Sequence, residues 1–452
     1  MRTLLPLLSA LFSLSLPAAE RPNVILIMAD DFGQECVAAN GGESYRTPNL
    51  DRLAAEGMRF EHCHSQPLCT PTRVQLMTGR YNVRNYLNFG TLLRRETTFG
   101  HLLQKAGYAT GICGKWQLGR ETDAPSHFGF QEALLWQHTR RPPRYANAGL
   151  ELNGVEKDYP EGSYGPKLIN DFALDFVTRH KDAPFFLYYP MILTHDPFQP
   201  TPDSPDWDPK ARGENVSRKT AHFADMVGYM DKMVGRLDEH LKQLGIRDNT
   251  LLIFTGDNGA HSSITSRFQG RDYQGGKGRT TNNGHHVPLI VSWPAVMKQG
   301  RVCSDLVSCA DFLPTLCAAA GAPLPDSVDG VSFLPQLLGG PGTPRECIYA
   351  WYSPRQGPDM TVREYAFDRD YKLYRDGSFF DLKADPLEKA PLQQPLTGKA
   401  ASARKRLQAC LDRYQDARPA ELDATFKAAA KDMPGSSRKA GLKGKAGKNK
   451  NL

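Results

Sequence analysis

Residues 23–31 read NVILIMADD: six consecutive apolar side chains, Val24 to Ala29, cut off by two aspartates. A run this short and this rich in Ile, Leu and Val predicts a strand buried on both faces, as strands of a parallel sheet are. Residues 250–258, TLLIFTGDN, repeat the design, an apolar run closed by Asp257-Asn258. Residues 108–113, 184–189 (PFFLYY) and 287–293 (VPLIVSW) read as further strands. Helical stretches fall between them. Residues 47–57 and 97–107 are short helices ending in Gly, and residues 222–244 carry Met226, Met230, Met233, Val234, Leu237, Leu241 and Leu244 at helical spacing. Strands alternating with helices predict an α/β fold, a mostly parallel doubly wound sheet flanked by helices. Such sheets bind ligands beyond the carboxyl ends of their strands.

From about residue 345 the pattern changes to short Tyr-rich strands (348–352, 364–367, 372–374, 378–381), then a helix over about 400–417. This predicts a smaller C-terminal antiparallel sheet plus helix. The expected division is a signal peptide over 1–19, a catalytic domain over 20–344, a C-terminal subdomain over 345–434 and a basic tail over 435–452. The leader has Arg2, an apolar stretch over 4–16 and small residues at Pro17-Ala18-Ala19. Those are the parts of an export signal, too short for a membrane span. The protein is therefore expected to be periplasmic or extracellular.

Of 452 residues, 40% are hydrophobic, enough to bury a large core, so wholesale disorder is excluded. The net charge of +7 is a terminal feature. Segment 435–452 holds six basic residues and no acid, and Arg2 adds one, so the rest is near neutral. A solvated end explains this better than a nucleic-acid surface. Nine cysteines include no CxxC pair, which argues against a zinc-thiolate site.

The two acid doublets sit at two strand ends. If the strands are parallel, Asp30, Asp31, Asp257 and Asn258 converge on one edge, and three close carboxylates call for a cation. All-oxygen donors favour Ca²⁺, with Mg²⁺ second. Capping a turn or helix is the simpler role for either doublet alone. A second cluster is Pro67-Leu68-Cys69-Thr70-Pro71-Thr72-Arg73. Its Pro and the apolar spacing after it place Cys69 near a helix N-terminus, with Arg73 one turn on. Read alone, Cys69 is a thiol of lowered pKa or a disulfide partner.

Cys-Thr-Pro-Thr-Arg resembles the Cys-x-Pro-x-Arg signature of the formylglycine-dependent sulfatases, of the alkaline phosphatase superfamily. The resemblance extends over residues 21–390. It takes in Asp30-Asp31, the 47–60 segment, GYATGICGKWQLG with Lys115, Thr255–Gly259, the loop Gly275–Gly278 with Lys277, and the segment 381–388. It implies that a formylglycine-generating or sulfatase-maturating enzyme converts Cys69 to formylglycine, whose hydrate attacks a sulfate ester. It also implies one Ca²⁺ per chain held by Asp30, Asp31, Asp257, Asn258 and residue 69. Arg73, Lys115 and Lys277 would hold sulfate, and His195 would protonate the leaving alcohol.

Two stretches depart from the family. Gln117 stands where the second signature has histidine, and it cannot take a proton at neutral pH. Residues 282–288, NNGHHVP, replace an acidic and glycine-rich stretch, so His285 or His286 is a candidate base or substrate contact. Arg84, with Asn85 and Tyr86, is a further candidate contact, and Trp116, Trp136 and Tyr164 are candidate stacking surfaces. The resemblance implies a sulfated carbohydrate as substrate. The alternatives are a phosphonate or phosphodiester hydrolase of the same superfamily, and a sulfated-glycan-binding protein disabled at Gln117.

Overall fold

The computed structural model describes residues 21–212 and 216–431. The leader, the basic tail and residues 432–434 lie outside them. The strands are β1 (Asn23–Ala29), β2 (Met58–His64), β3 (Ala109–Lys115), β4 (Glu132–Trp136), β5 (Leu150–Leu152), β6 (Val155–Lys157), β7 (Phe185–Pro190) and β8 (Thr250–Gly256). They continue as β9 (Thr265–Phe268), β10 (Arg271–Gln274), β11 (His286–Ser292), β12 (Arg301–Ser308), β13 (Ile348–Tyr352), β14 (Arg363–Phe367), β15 (Tyr371–Tyr374) and β16 (Phe379–Asp381).

Ten of these form one sheet, ordered β12-β2-β11-β8-β1-β7-β3-β4-β5-β6. β1 is central, parallel to β7 on one side and β8 on the other. All seven of its residues are buried, which is why its sequence shows no polar alternation. Val24, Leu26 and Met28 pack into one core layer while Ile25, Ile27 and Ala29 pack into the layer on the opposite face. The helices Pro48–Glu56, Gly165–His180 and His222–Gln243 help close the second layer. β13 to β16 form a separate antiparallel sheet, against which the helix Gly398–Asp412 packs.

β11 departs from the sequence reading. It runs antiparallel to both β8 and β2. A parallel neighbour needs a crossover to the far edge. Here the chain leaves β8, makes the β9–β10 hairpin and re-enters from the same edge without a crossover helix. The loop carrying Lys277 therefore stays on the ligand-binding edge. Seven strands, β2, β4, β5, β6, β9, β10 and β12, fall outside the sequence reading; in β2 (MRFEHCH) and β12 polar residues break the apolar run, and β5 and β6 have only three residues each.

Candidate active site

Every group of the site leaves one edge of the large sheet. The register of β1 on β8 pairs Ala29 with Gly256, so the next residues of each chain face one another: Asp30 with Asp257, Asp31 with Asn258. Gly256 permits this closeness. A Cβ there would stand 2.1 Å from the Phe32 carbonyl oxygen. The Asp257 N–H donates to the Ala29 carbonyl at 3.0 Å, and the Asp31 N–H donates to Asp257 Oδ1 at 3.0 Å. On the other flank, the Thr194 N–H donates to the Asp30 carbonyl at 2.7 Å, which brings His195 alongside.

Cys69 is the first residue of the helix Cys69–Thr78, and all ten residues of that helix are buried. Unpaired N–H groups and the positive end of the helix dipole therefore point into the site, which suits an anion. Thr72 Oγ1 donates to the Asp257 carbonyl at 2.7 Å and fixes the helix to the end of β8. The thiol lies 3.6 Å from Asp30 Oδ1. Burial, with Asp257 nearby, pushes its pKa up to about 12. Desolvation thus works against the lowering that a helix N-terminus favours.

Around these acids stand four cations. Lys115 Nζ is 2.8 and 2.9 Å from the two oxygens of Asp30. Arg144 reaches Asp30 Oδ2 at 3.0 Å, Arg73 reaches Asp257 Oδ2 at 3.0 Å, and Lys277 Nζ reaches Asp31 Oδ2 at 2.7 Å. Burial works against charge on Asp30, yet Lys115, His195, Arg144 and Arg73 hold its pKa well below the usual range. Asp257 goes the other way, raised first by burial and then by Asp30. Burial likewise opposes charge on Lys277, but Asp31 holds its pKa above the ordinary lysine value. Burial and Arg144 depress that of His195. Its Nδ1–H donates to the Asp196 carbonyl at 2.6 Å, and its Nε2 faces Lys277 Nζ at 3.0 Å.

Ligand atoms of Asp30, Asp31, Cys69 and His195 lie within 4.8 Å of one another. Asn258 donates its amide to Asp31 Oδ1 at 2.8 Å while its own Oδ1 is buried with no donor. An orphaned buried acceptor beside carboxylates fits a cation, and an oxygen-rich donor set fits a hard divalent one. Asp31, Gln117 and Gln137 all have φ of +58°, left-handed backbone that costs a non-glycine residue on the order of 1 kcal/mol. The three strained residues lie at one edge. Gln117 turns inward, and its Oε1 is also buried without a partner.

A cleft of about 420 Å³ opens over Cys69, Gln117, His195 and Lys277. Its remaining walls are Phe89, Trp136, Gln137, Arg141, Arg144 and Gln356. Of these, only Trp136 was singled out from sequence. Arg144 stacks 4.1 Å over the Trp136 ring, and nothing in RRPPR marks it. Other candidates stand elsewhere. Arg84 pairs with Asp329 at 2.9 Å and lies against Tyr414. Asn85 bonds Thr78 and Glu96, and the Tyr86 hydroxyl bonds the Pro354 carbonyl. Trp116 is buried beside Phe128, and Tyr164 is buried among Tyr145, Trp207 and Tyr229. His285 and His286 line no part of this cleft. The antiparallel return of β11 carries them into a separate cluster with His64.

Residues 22–322 match the family described as Sulfatase, and residues 277–446 match N-sulphoglucosamine sulphohydrolase, C-terminal. The chain is 33% identical to arylsulfatase A of Homo sapiens, over 75% of this chain and 72% of that protein. It is 34% identical to N-acetylgalactosamine-6-sulfatase of Mus musculus, over 76% and 72%. Its fold superimposes on the crystal structure of Ps i-CgsB in complex with k-i-k-neocarrahexaose with a TM-score of 0.75, at 25% identity, covering 93% of this chain and 99% of that one.

Proposed function

The chain belongs to the sulfatase family and is a sulfuric ester hydrolase, and from that premise we propose that it removes sulfate from a sulfated carbohydrate, using a formylglycine made from Cys69 and a calcium ion. One observation carries the reading: Cys69 opens a buried helix directly against Asp30, inside a ring of four basic side chains.

Asp30, Asp31, Asp257 and Asn258 would hold the cation, with residue 69 completing its ligands and Mg²⁺ as the second choice. When bound, the cation supplies Lewis-acid polarisation, and the hydrated aldehyde supplies a nucleophilic oxygen. The remaining chemistry belongs to the chain. Arg73, Lys115 and Lys277 bind sulfate oxygens with charge-assisted hydrogen bonds and stabilise charge as it builds there. The helix N-terminus adds its N–H groups. Their carboxylate partners hold these cations in place before substrate arrives.

His195 Nε2 is the atom placed to give a proton to the departing alcohol, and the Asp196 carbonyl fixes its ring through Nδ1. With its own proton on Nδ1, His195 accepts at Nε2 from the Lys277 ammonium, which supplies the proton that Nε2 passes to the alcohol. Gln117 positions sulfate by hydrogen bonds and cannot itself take a proton. Trp136 and Arg141 on the cleft wall suit a sugar ring and its anionic substituents. The names of relatives that act on or bind sugars support this substrate class. The apolar leader supports export, to the periplasm or outside the cell.

The test is the mass of the tryptic peptide Phe60–Arg73 from protein made in its native cell, alongside sulfate release from a sulfated oligosaccharide. An aldehyde in place of the thiol and free sulfate are expected. An intact thiol with full sulfate release would overturn the mechanism. Sulfate retained with phosphodiester cleaved would overturn the substrate class.

A further inference from the structure

His285 and His286, candidates from sequence for the missing base or a substrate contact, stand instead in a second cluster on the same sheet edge. His62 and His64 lie two residues apart on β2 and share a face, and His286 on β11 pairs in register with His64. The His64 and His286 rings stack at 4.5 Å, and those of His62 and His286 lie 6.0 Å apart at 20°. A ring nitrogen from each lies within 4.8 Å of one from each of the others.

Their outward partners set the tautomers. His286 Nε2 faces the Glu61 carbonyl at 2.7 Å and must donate to it, which leaves a lone pair on Nδ1. His285 Nε2 faces the Thr280 carbonyl at 3.0 Å and must also donate, so His285 Nδ1 accepts. His64 Nδ1, 3.1 Å from that atom, then carries the proton and leaves its Nε2 lone pair open. Lys372, 3.3 Å from His285 Nε2, has acceptors in Thr280 and Glu388. Two of the three imidazoles thus have one nitrogen oriented by a backbone carbonyl or a second histidine and the other free. That is how proteins orient imidazole ligands of metals.

We propose that His62, His64 and His286 form a binding site for a late first-row divalent cation of the zinc class, separate from the oxygen-rich site of the sulfatase centre. Three nitrogens are the donor set such ions prefer and calcium does not. Zinc–nitrogen bonds of about 2.0–2.1 Å would require the stacked rings to turn so that their lone pairs converge. The three histidines line a cleft of about 440 Å³ whose walls carry Arg59, Arg271, Arg369 and Lys383 together with Glu61 and Asp368. Arg59 pairs with Glu61 at 3.6 Å and Lys383 with Asp370 at 2.6 Å, which offsets part of the positive charge facing a dication. Asn282, which lines the same cleft, has its Oδ1 buried with no partner. Such an ion would clamp β2, five residues before Cys69, to the strand that follows the Lys277 loop.

The probe is Zn²⁺ titrated into the full chain held in excess Ca²⁺, followed by calorimetry and thermal melting, with Co²⁺ in parallel. One Zn²⁺ per chain, a raised melting temperature and the visible absorption of low-coordinate Co²⁺ are expected. His62→Gln and, independently, His286→Gln should each weaken Zn²⁺ binding at least about tenfold. His62 is only partly buried, so His62→Gln should fold with unchanged circular dichroism. Absence of Zn²⁺ binding at micromolar concentration overturns the proposal. So does binding that survives both substitutions, or that Ca²⁺ displaces, since either would place the ion at Asp30 and Asp257. None of these readouts depends on sulfate release, so failure here and failure of the sulfatase reading are distinguishable.

Discussion

Two clusters share the carboxyl edge of the large sheet, and they are built on opposite electrical principles. The first gathers Asp30, Asp31 and Asp257 and surrounds them with Arg73, Lys115, Arg144 and Lys277. The second gathers three imidazoles whose pKa values burial lowers. In the first, charge is dense and internally compensated, so the groups are held in position by their own attraction. In the second, the rings are neutral donors, and position comes from backbone carbonyls and ring stacking. A sheet edge therefore does not choose its ligand; the donor atoms do.

The sharpest way to separate the clusters is Cys69→Ala. It should lower sulfate release by about ten-thousand-fold or more while leaving Zn²⁺ uptake intact, measured on one preparation. Asp257→Asn comes next. It removes a proposed metal oxygen charge and the partner of Arg73, so kcat should fall by about a hundredfold to a thousandfold, with part of the loss recovered at high Ca²⁺. Gln117→His restores a proton acceptor at a position whose left-handed backbone histidine tolerates, and turnover should rise by about tenfold with KM little changed. An unchanged kcat would show that Gln117 acts by positioning alone.

The smallest effect concerns stability. Glu35 lies just beyond Asp30-Asp31, is 1% exposed, and burial raises its pKa from 4.5 to about 7. Between those values the folded chain binds more protons than the unfolded chain. Unfolding free energy therefore falls as pH rises, by at most about 3 kcal/mol, and levels off above pH 7. Glu35→Gln cannot ionise. Its stability relative to the parent should rise from pH 5 to pH 8 in urea melts, and a constant difference would refute the assignment.

The first cluster was legible because its signal is local. Apolar runs that stop in acid doublets identify strand ends, and the Cys-x-Pro-x-Arg segment identifies a helix start. The second was not legible, since its residues meet only through the register of β2 on β11, which depends on an antiparallel return that an apolar run does not announce. Reading VPLIVSW as one more strand gave the element but not its direction. For the same reason the sequence offers His285 or His286 as a base or substrate contact, which the fold places elsewhere. Arg84 illustrates another limit of local reading. Its partner Asp329 is 245 residues away, and only the folded chain shows that its charge is already spent. Arg144 is the converse, a site group with no local mark.

The complete burial of the helix Cys69–Thr78 has a consequence for timing. Cys69 is 1% exposed, and the flanking residues that a modifying enzyme would have to grip lie inside the protein. Once the sheet has closed over them, no second active site can surround that segment. On the formylglycine mechanism proposed above, the aldehyde would have to be installed on a chain still in an extended form, in competition with its own folding. Substitutions that hasten folding would then yield a protein more robust yet less fully converted, with specific activity falling as folding speed rises.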